Sequence, residues 1–83
     1  MYNVNVVQKS TRETIEQSQY NSSFLSLVEG FLKINDIIDE CIVTVSSKKT
    51  VIVIDKRKKK EFDKLSTLEA AHYIVNLAKE LEV

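Results

Sequence analysis

The chain has 83 residues, of which 43% are hydrophobic and 29% charged, and its cations and anions are equal in number. These values predict one folded domain over residues 1–83 and exclude a second core or an intrinsically disordered chain. Proline is absent and Gly30 is the only glycine, so the sequence has no glycine-rich phosphate loop. Cys41 is the only cysteine, which excludes an internal disulfide and suits a reducing compartment.

The sequence contains no membrane or secretion signal that we recognise. No stretch approaches the roughly 20 apolar residues that a membrane helix requires. The first residues carry neither the basic start nor the apolar run of a secretory signal. We therefore expect a cytoplasmic protein with no membrane partner. The abundance of Lys, Ile and Asn suits an AT-rich genome, such as that of a phage or mobile element.

The N-terminal part begins with a strand and continues into a polar segment. Over residues 2–9, Tyr2, Val4 and Val6 alternate with asparagines, which is the period of a half-buried strand. Residues 10–20 have few side chains to bury and predict a loop with one helical turn. The alternative is an extra strand over residues 13–19, which would make the chain a repeat of two hairpin-plus-helix units.

A first helix is predicted from about Ser22 to Ile34. Asn21 is a suitable N-cap, and Asn35 could end the helix in the left-handed conformation. Gly30 lies inside this helix, where it costs about 1 kcal/mol relative to alanine, so we expect a close approach to the sheet there. The apolar stripe is Phe24, Leu27, Val28 and Phe31, widened by Leu25 and Leu32.

A β-hairpin is predicted over residues 41–55. A loop of two or four residues centred on Ser47–Lys48 would place Cys41 opposite Ile54 and Val43 opposite Ile52, all on one face. The other face would then carry Ile42, Thr44, Val51 and Val53.

The last helix has the clearest signal. Ser66 and Glu69 have the spacing of a capping box, and an apolar stripe follows at helical spacing: Leu68, Ala71, Ile74, Val75, Ala78 and Leu81. The resulting prediction is an α+β fold, a two-layer α/β sandwich of βαββα order. It has a small mixed three-stranded sheet with both helices on one face, and the alternative order is ββαββα.

The charges are unevenly distributed along the chain. Residues 48–64 hold eight cations and three anions, whereas residues 1–47 hold three cations and six anions. This basic segment could steer an acidic partner or contact nucleic-acid phosphates. A solvated connector is the simpler interpretation. The cations concerned are Lys48, Lys49, Lys56, Arg57, Lys58, Lys59, Lys60 and Lys64.

No arrangement of residues predicts an enzyme. His72 has no neighbouring nucleophile or acid in a recognisable motif, and Cys41 alternates in phase with buried valines. Asp36, Asp39 and Glu40 lack the ligand spacing of a calcium loop. We expect no catalytic residue, no cofactor, no metal and no small-molecule substrate.

Two helices on one face of the sheet would leave the other face uncovered. Ile42, Thr44, Val51 and Val53 would form an apolar patch there, and such patches usually mark partner surfaces. The expected function is therefore a small non-enzymatic protein-binding module, such as an inhibitor, modulator or regulatory adaptor, whose partner is a second copy in a homodimer or a host or regulatory protein. The alternative is a nucleic-acid-binding module that uses Lys56–Lys60.

Overall fold

A computed structural model describes residues 1–37 and 39–83. Their fold is α+β, with one four-stranded sheet and helices packed on one of its faces. In chain order the elements are β1 (Tyr2–Gln8), β2 (Thr14–Tyr20), α1 (Ser23–Lys33), a 3₁₀ turn (Ile34–Asp36), β3 (Cys41–Ser46), β4 (Val51–Ile54), α2 (Lys56–Asp63) and α3 (Thr67–Glu82).

The sheet has the strand order β2-β1-β3-β4, and every neighbouring pair is antiparallel. The prediction of a mixed three-stranded sheet is wrong, because Thr14–Tyr20, in the segment predicted as a loop, form a strand. The alternative strand over residues 13–19 is present as β2, which reverses the chain before α1. As a result, β3 returns antiparallel to β1. The tight turn between β1 and β2 includes Arg12, whose φ of 60° lies in the left-handed region.

The β3–β4 hairpin has the predicted faces but a different register. Val43 pairs with Ile54 and Thr44 with Val53, so the pairing is displaced by two residues from the prediction. The loop is centred on Lys48–Lys49 and not on Ser47–Lys48. Ser47 Oγ fixes it by accepting hydrogen bonds from the backbone N–H groups of Lys49 (3.4 Å) and Thr50 (3.2 Å). A displacement of two residues preserves the side-chain faces, because strand side chains alternate with a period of two.

Helix α1 lies against β1 and β3, and its ends differ from the prediction. Ser22 is the N-cap and not Asn21, since Ser22 Oγ accepts a hydrogen bond from Leu25 N–H at 3.2 Å. Asn35 does not adopt the left-handed conformation, because the chain tightens into the 3₁₀ turn instead. The close approach at Gly30 is confirmed: a Cβ there would lie 2.8 Å from Val45 Cγ2.

The basic segment after β4 is a helix and not a connector. Asp55 caps α2 by accepting a hydrogen bond from Lys58 N–H at 2.8 Å. The predicted capping box of α3 is confirmed, with Ser66 and Glu69 bonded in both directions. Helix α3 packs mainly against α1.

The core lies between the inner sheet face and the helices. Part of the predicted helical stripes is outside it: Phe24, Leu25, Leu32, Leu68, Ala71 and Val75 are exposed. These side chains lie on flanks of α1 and α3 that neither the sheet nor the other helices cover. The buried apolar residues are Val4, Val6, Leu27, Phe31, Ile34, Cys41, Val43, Val45, Ile52, Ile54, Ile74, Ala78 and Leu81.

Candidate functional site

The outer face of the sheet bears the residues that the sequence predicted as a partner surface. Val51 and Val53 are 60% and 46% exposed, while Ile42 and Thr44 are half-buried. The strand register brings these side chains together, since Thr44 pairs directly with Val53. Ile42 in turn pairs with Val7 of β1, a residue that the sequence reading missed. Alternation with Val4 and Val6 is consistent with Val7 on the outer face, but the sequence does not show that Val7 lies beside Ile42, because strand pairing is a long-range interaction.

The other half of this face is polar. Asn3 and Asn5 pair with Gln19 and Gln17 across β1 and β2, and Gln17 Nε2 donates to Asn3 Oδ1 at 3.5 Å. Directly paired residues have their side chains on the same face. These amide side chains therefore continue the outer face from Thr44 across β1 and β2. The apolar part of the outer face therefore lies mainly on β3 and β4 and extends to Val7 on β1.

Strand β4 is also an open edge of the sheet. The hairpin loop is closed by Ser47 N–H, which donates to the Thr50 carbonyl at 2.9 Å. Hydrogen-bonded and non-hydrogen-bonded pairs alternate in an antiparallel ladder, so Ile52 and Ile54 direct their backbone groups toward β3. Val51 and Val53 then direct theirs outward. In the part of the chain that the structure describes, no other backbone group pairs with them.

Cations lie at both ends of β4. Lys48 and Lys49 are exposed in the turn before it, and Lys56 and Arg57 are exposed in the first turn of α2 after it. The seven-residue spacing from Lys49 to Lys56 corresponds to roughly 20 Å of extended chain. The predicted basic set is thus divided into two clusters, one at each end of the apolar edge.

Helix α2 presents its cations unequally. Lys56, Arg57, Lys60 and Lys64 are exposed and fall on one side of the helix, whereas Lys58 and Lys59 are half-buried. Lys59 forms an ion pair with Asp63, and its Nζ lies 5.8 Å from the centroid of the Phe62 ring. Lys56 pairs with Asp39, and this hydrogen bond and charge lower the pKa of the Asp39 carboxyl.

An aromatic cluster holds α2 in place. The ring centroids of Phe31 and Phe62 are 4.5 Å apart in a stacked arrangement, and Tyr73 lies 5.9 Å from Phe31 and 5.8 Å from Phe62. Each helix contributes one of these rings. Pairs at these separations add about 0.5–1.5 kcal/mol each beyond their area burial. The orientation of the basic side of α2 is therefore fixed by the core.

The residues with intrinsic chemical reactivity lie apart from one another. Cys41 is 3% exposed beneath the helices, and His72 is exposed on α3. Among residues 1–37 and 39–83, no three His, Cys, Asp or Glu side chains are grouped so as to hold a metal. Over the same residues, no helix is long and apolar enough to cross a bilayer.

Two surface clefts have volumes of about 270 and 240 Å³. The larger is bounded by Tyr2, Lys48 and Leu81, and the smaller by Ile34, Lys56 and Lys60. Both fall below the roughly 300–1,000 Å³ of typical ligand pockets. The uncovered edge and outer face of β4 are therefore the stronger candidate site. We refer to Ile42, Thr44, Val51 and Val53, with the outward backbone groups of β4, as the β4 surface.

Comparison of the chain with protein-family models, with curated protein sequences and with solved structures finds no match.

Proposed function

We propose that this chain is a small non-enzymatic protein-binding module and that the β4 surface is its contact site. The observation that carries the proposal is the exposure of Val51 and Val53, at 60% and 46%, beside unpaired backbone groups. An apolar patch on an open strand edge is a combination that soluble proteins usually avoid or cover. A partner that docks there would remove both apolar area and unpaired groups from water.

The proposed module acts in the cytoplasm as an inhibitor, modulator or adaptor, in which binding itself is the activity. The single thiol supports a reducing compartment, because Cys41 is buried and free and one cysteine cannot form an internal disulfide. A second copy of the chain is one form of partner, and self-association is tested together with binding to other proteins.

The test compares immobilised wild-type protein with Val53→Lys, and uses Ile15→Lys as the matched control. Ile15 is 59% exposed on β2, which is the opposite edge of the sheet. We expect at least one lysate protein, or the chain itself, to be retained by the wild type and by Ile15→Lys but lost with Val53→Lys. Light scattering at about 100 µM, a concentration that detects weak dimers, would show whether the chain forms a homodimer. Identical retention by all three proteins, with no dimer, would overturn the proposal.

A second candidate function is nucleic-acid binding through α2. The observation that favours it is the row of exposed cations Lys56, Arg57, Lys60 and Lys64 on one side of that helix. Four such residues span about 12 Å along a helix axis, which is enough to neutralise several phosphates. Glu61 and Asp63 on the same helix oppose this attraction.

Gel-shift titrations with duplex and single-stranded probes at two salt concentrations test this second function. Lys60→Glu/Lys64→Glu is the informative variant, and Lys79→Glu on α3 is its control, since Lys79 is also exposed. Binding that weakens steeply with salt and is lost only in the double variant would establish α2 as a phosphate-contacting helix. An absence of shifted complex at low salt excludes it.

A further inference from the structure

We propose that the partner of the β4 surface is an extended peptide strand with apolar residues in its centre and acidic residues at both ends. This inference rests on the proposed function and specifies the chemistry of its partner. The peptide would add to the sheet as a fifth strand beside β4, a recognised mode of peptide binding in which the backbone supplies affinity and alternate side chains supply specificity.

The backbone geometry favours a strand over another kind of partner. Val51 and Val53 each direct an N–H and a carbonyl outward in the plane of the sheet, as the hydrogen-bond alternation from Ser47 and Thr50 requires. An added strand would pair with these four groups. A helix or a flat protein surface would cover the valine side chains but would leave the outward groups without backbone partners.

The cations at the two ends of β4 favour a peptide with acidic residues at its ends. Lys48 and Lys49 lie before β4 and Arg57 lies after it, and the ion pairs of the described residues involve none of the three. Asp55 stands near the far end and Glu82 lines the cleft beside Lys48 and Lys49, but the Asp55 carboxylate already caps α2, and the two lysines outnumber the one glutamate. A strand that crosses this edge in either direction therefore meets positive charge at both ends, and acidic residues there would be attracted.

The same charges disfavour a second copy at this edge. Two β4 strands paired antiparallel would bring Lys48 and Lys49 of one copy toward Lys56 and Arg57 of the other. Parallel pairing would bring equivalent lysines together. Like charges opposed in this way act against edge-to-edge assembly, and charged residues beside an edge strand commonly have that role. The charge pattern thus selects a partner with a different sequence.

The probe is a fluorescein-labelled peptide of about nine residues, the length of an edge strand with flanks, in which valine alternates with threonine between two glutamates at each end. Fluorescence anisotropy would measure its binding to the wild-type protein. We expect saturable binding below about 1 mM that weakens as salt rises, because salt screens exposed charges. A matched peptide with lysines in place of the glutamates should bind at least about tenfold more weakly.

The decisive protein variant is Val53→Pro, with Val53→Thr as its control. Proline removes the outward N–H of residue 53 while the ladder bonds of Ile52 and Ile54 to β3 remain, a position where edge strands tolerate proline. Threonine keeps the backbone donor and a similar shape. We expect Val53→Pro to weaken peptide binding at least about tenfold more than Val53→Thr does, because both variants lose the valine side chain and only proline also loses the backbone donor. Circular dichroism would establish that both variants fold.

A peptide N-methylated at alternate amides provides the same test on the unaltered protein, should Val53→Pro not fold. Loss of binding on N-methylation supports the added strand, and retained binding overturns it. The absence of saturable binding by the glutamate peptide below about 1 mM also overturns it, as does a preference for the lysine peptide. If wild-type and Ile15→Lys proteins still capture a partner that Val53→Lys loses, the module function stands and only the strand partner fails.

Discussion

The two edges of this sheet differ in a way that separates a protected edge from an exposed binding edge. Strand β2 has seven residues, and Glu16, Gln17 and Gln19 give it a polar, exposed surface. Glu16 also pairs with Lys33 of α1, so the helix layer reaches that edge. Strand β4 has only four residues, all apolar, and two of them are exposed. In the part of the chain that the structure describes, both edges leave backbone groups unpaired, but β4 places two exposed valines beside them, whereas β2 has one exposed apolar side chain, Ile15, among polar residues.

The comparison shows that one short strand, β4, can contribute to the core with one side and leave apolar side chains exposed on the other. The inner side of β4 belongs to the core, with Ile54 at 0% and Ile52 at 6% exposure. The side chains of Val51 and Val53, which alternate with these two residues, lie on the outer face and are exposed. A strand with both properties contributes fully to the core while keeping an interaction surface, and the adjacent cations limit non-specific pairing.

The largest expected effect is on the free energy of unfolding, which should fall far more on substitution of a buried residue of β4 than on substitution of an exposed residue of β2. Ile54→Ala removes a side chain with 0% exposure and leaves a cavity under α1, so we expect the free energy of unfolding to fall by about 2–5 kcal/mol. Ile15→Ala at the β2 edge should change it by less than about 0.5 kcal/mol. Urea unfolding followed by circular dichroism measures both. Similar losses at the two positions would contradict the assignment of the core to the β4 side.

A smaller loss is expected at Gly30, where α1 approaches β3 and β4. A Cβ there would lie 2.8 Å from Val45 Cγ2 and 2.9 Å from Ile54 Cδ1. Overpacking of this kind costs about 1–3 kcal/mol, and the helix propensity of alanine returns at most about 1 kcal/mol. Gly30→Ala should therefore destabilise the protein by about 1–2 kcal/mol in urea unfolding.

Val45→Ala provides the control for this prediction, because it removes the atom nearest to the added Cβ. In that background Gly30→Ala should cost less by at least about 0.5 kcal/mol, as expected for two residues in contact. If the two changes are additive, the space at Gly30 is not limited by Val45.

The next effect concerns the outer side of β4, where we expect a substitution to abolish partner binding with little change in the free energy of unfolding. Val53 is 46% exposed, and among residues 1–37 and 39–83 no strand lies beside its free edge. We expect Val53→Lys to change the free energy of unfolding by less than about 1 kcal/mol, since exposed substitutions rarely exceed this. The same variant should lose the captured partner. A protein that unfolds with lysine at this position would show that Val53 belongs to the core.

Most of the core could be predicted from the sequence, and the sheet topology could not. Alternation in β1 and β3 and the helical spacing of Ile74, Ala78 and Leu81 identified buried residues correctly, because those side chains face one layer only. The composition of β2 favours a loop over a strand, because the segment is rich in Glu, Gln and Ser and has few side chains to bury. Its pairing with β1, a long-range interaction, decides its structure. The omission of one strand then changed the direction of β3.

The candidate site was also predicted in part. Period-two alternation placed Ile42, Thr44, Val51 and Val53 on one face, and an error of two residues in register left that face unchanged. The form of the basic segment was not predicted, because its helix depends on the cap from Asp55 and on the contact of Phe62 with Phe31. Neither interaction has a strong local pattern among so many lysines.

The smallest expected effect concerns the ion pair that joins α1 to the β2 edge. The hydrogen bond and charge of Glu16 raise the pKa of Lys33 above its usual value of 10.5. The folded protein therefore holds this proton more tightly than the unfolded chain does. The stabilisation is complete below about pH 10 and is lost as the pH rises through the folded pKa. Lys33→Met removes this titration and leaves the other lysines and Tyr73, whose pKa burial raises.

Urea midpoints from about pH 8 to pH 11.5 would measure this loss in both proteins. We expect the wild type to lose stability more steeply than Lys33→Met over the alkaline part of that range, because the remaining titrating groups are common to both and cancel in the difference. Exposed ion pairs are also screened by salt, so the difference should shrink at high ionic strength. A gap between the two proteins that is constant with pH would mean that Glu16 does not bind Lys33 in solution. The β2 edge would then be protected by its polar side chains alone.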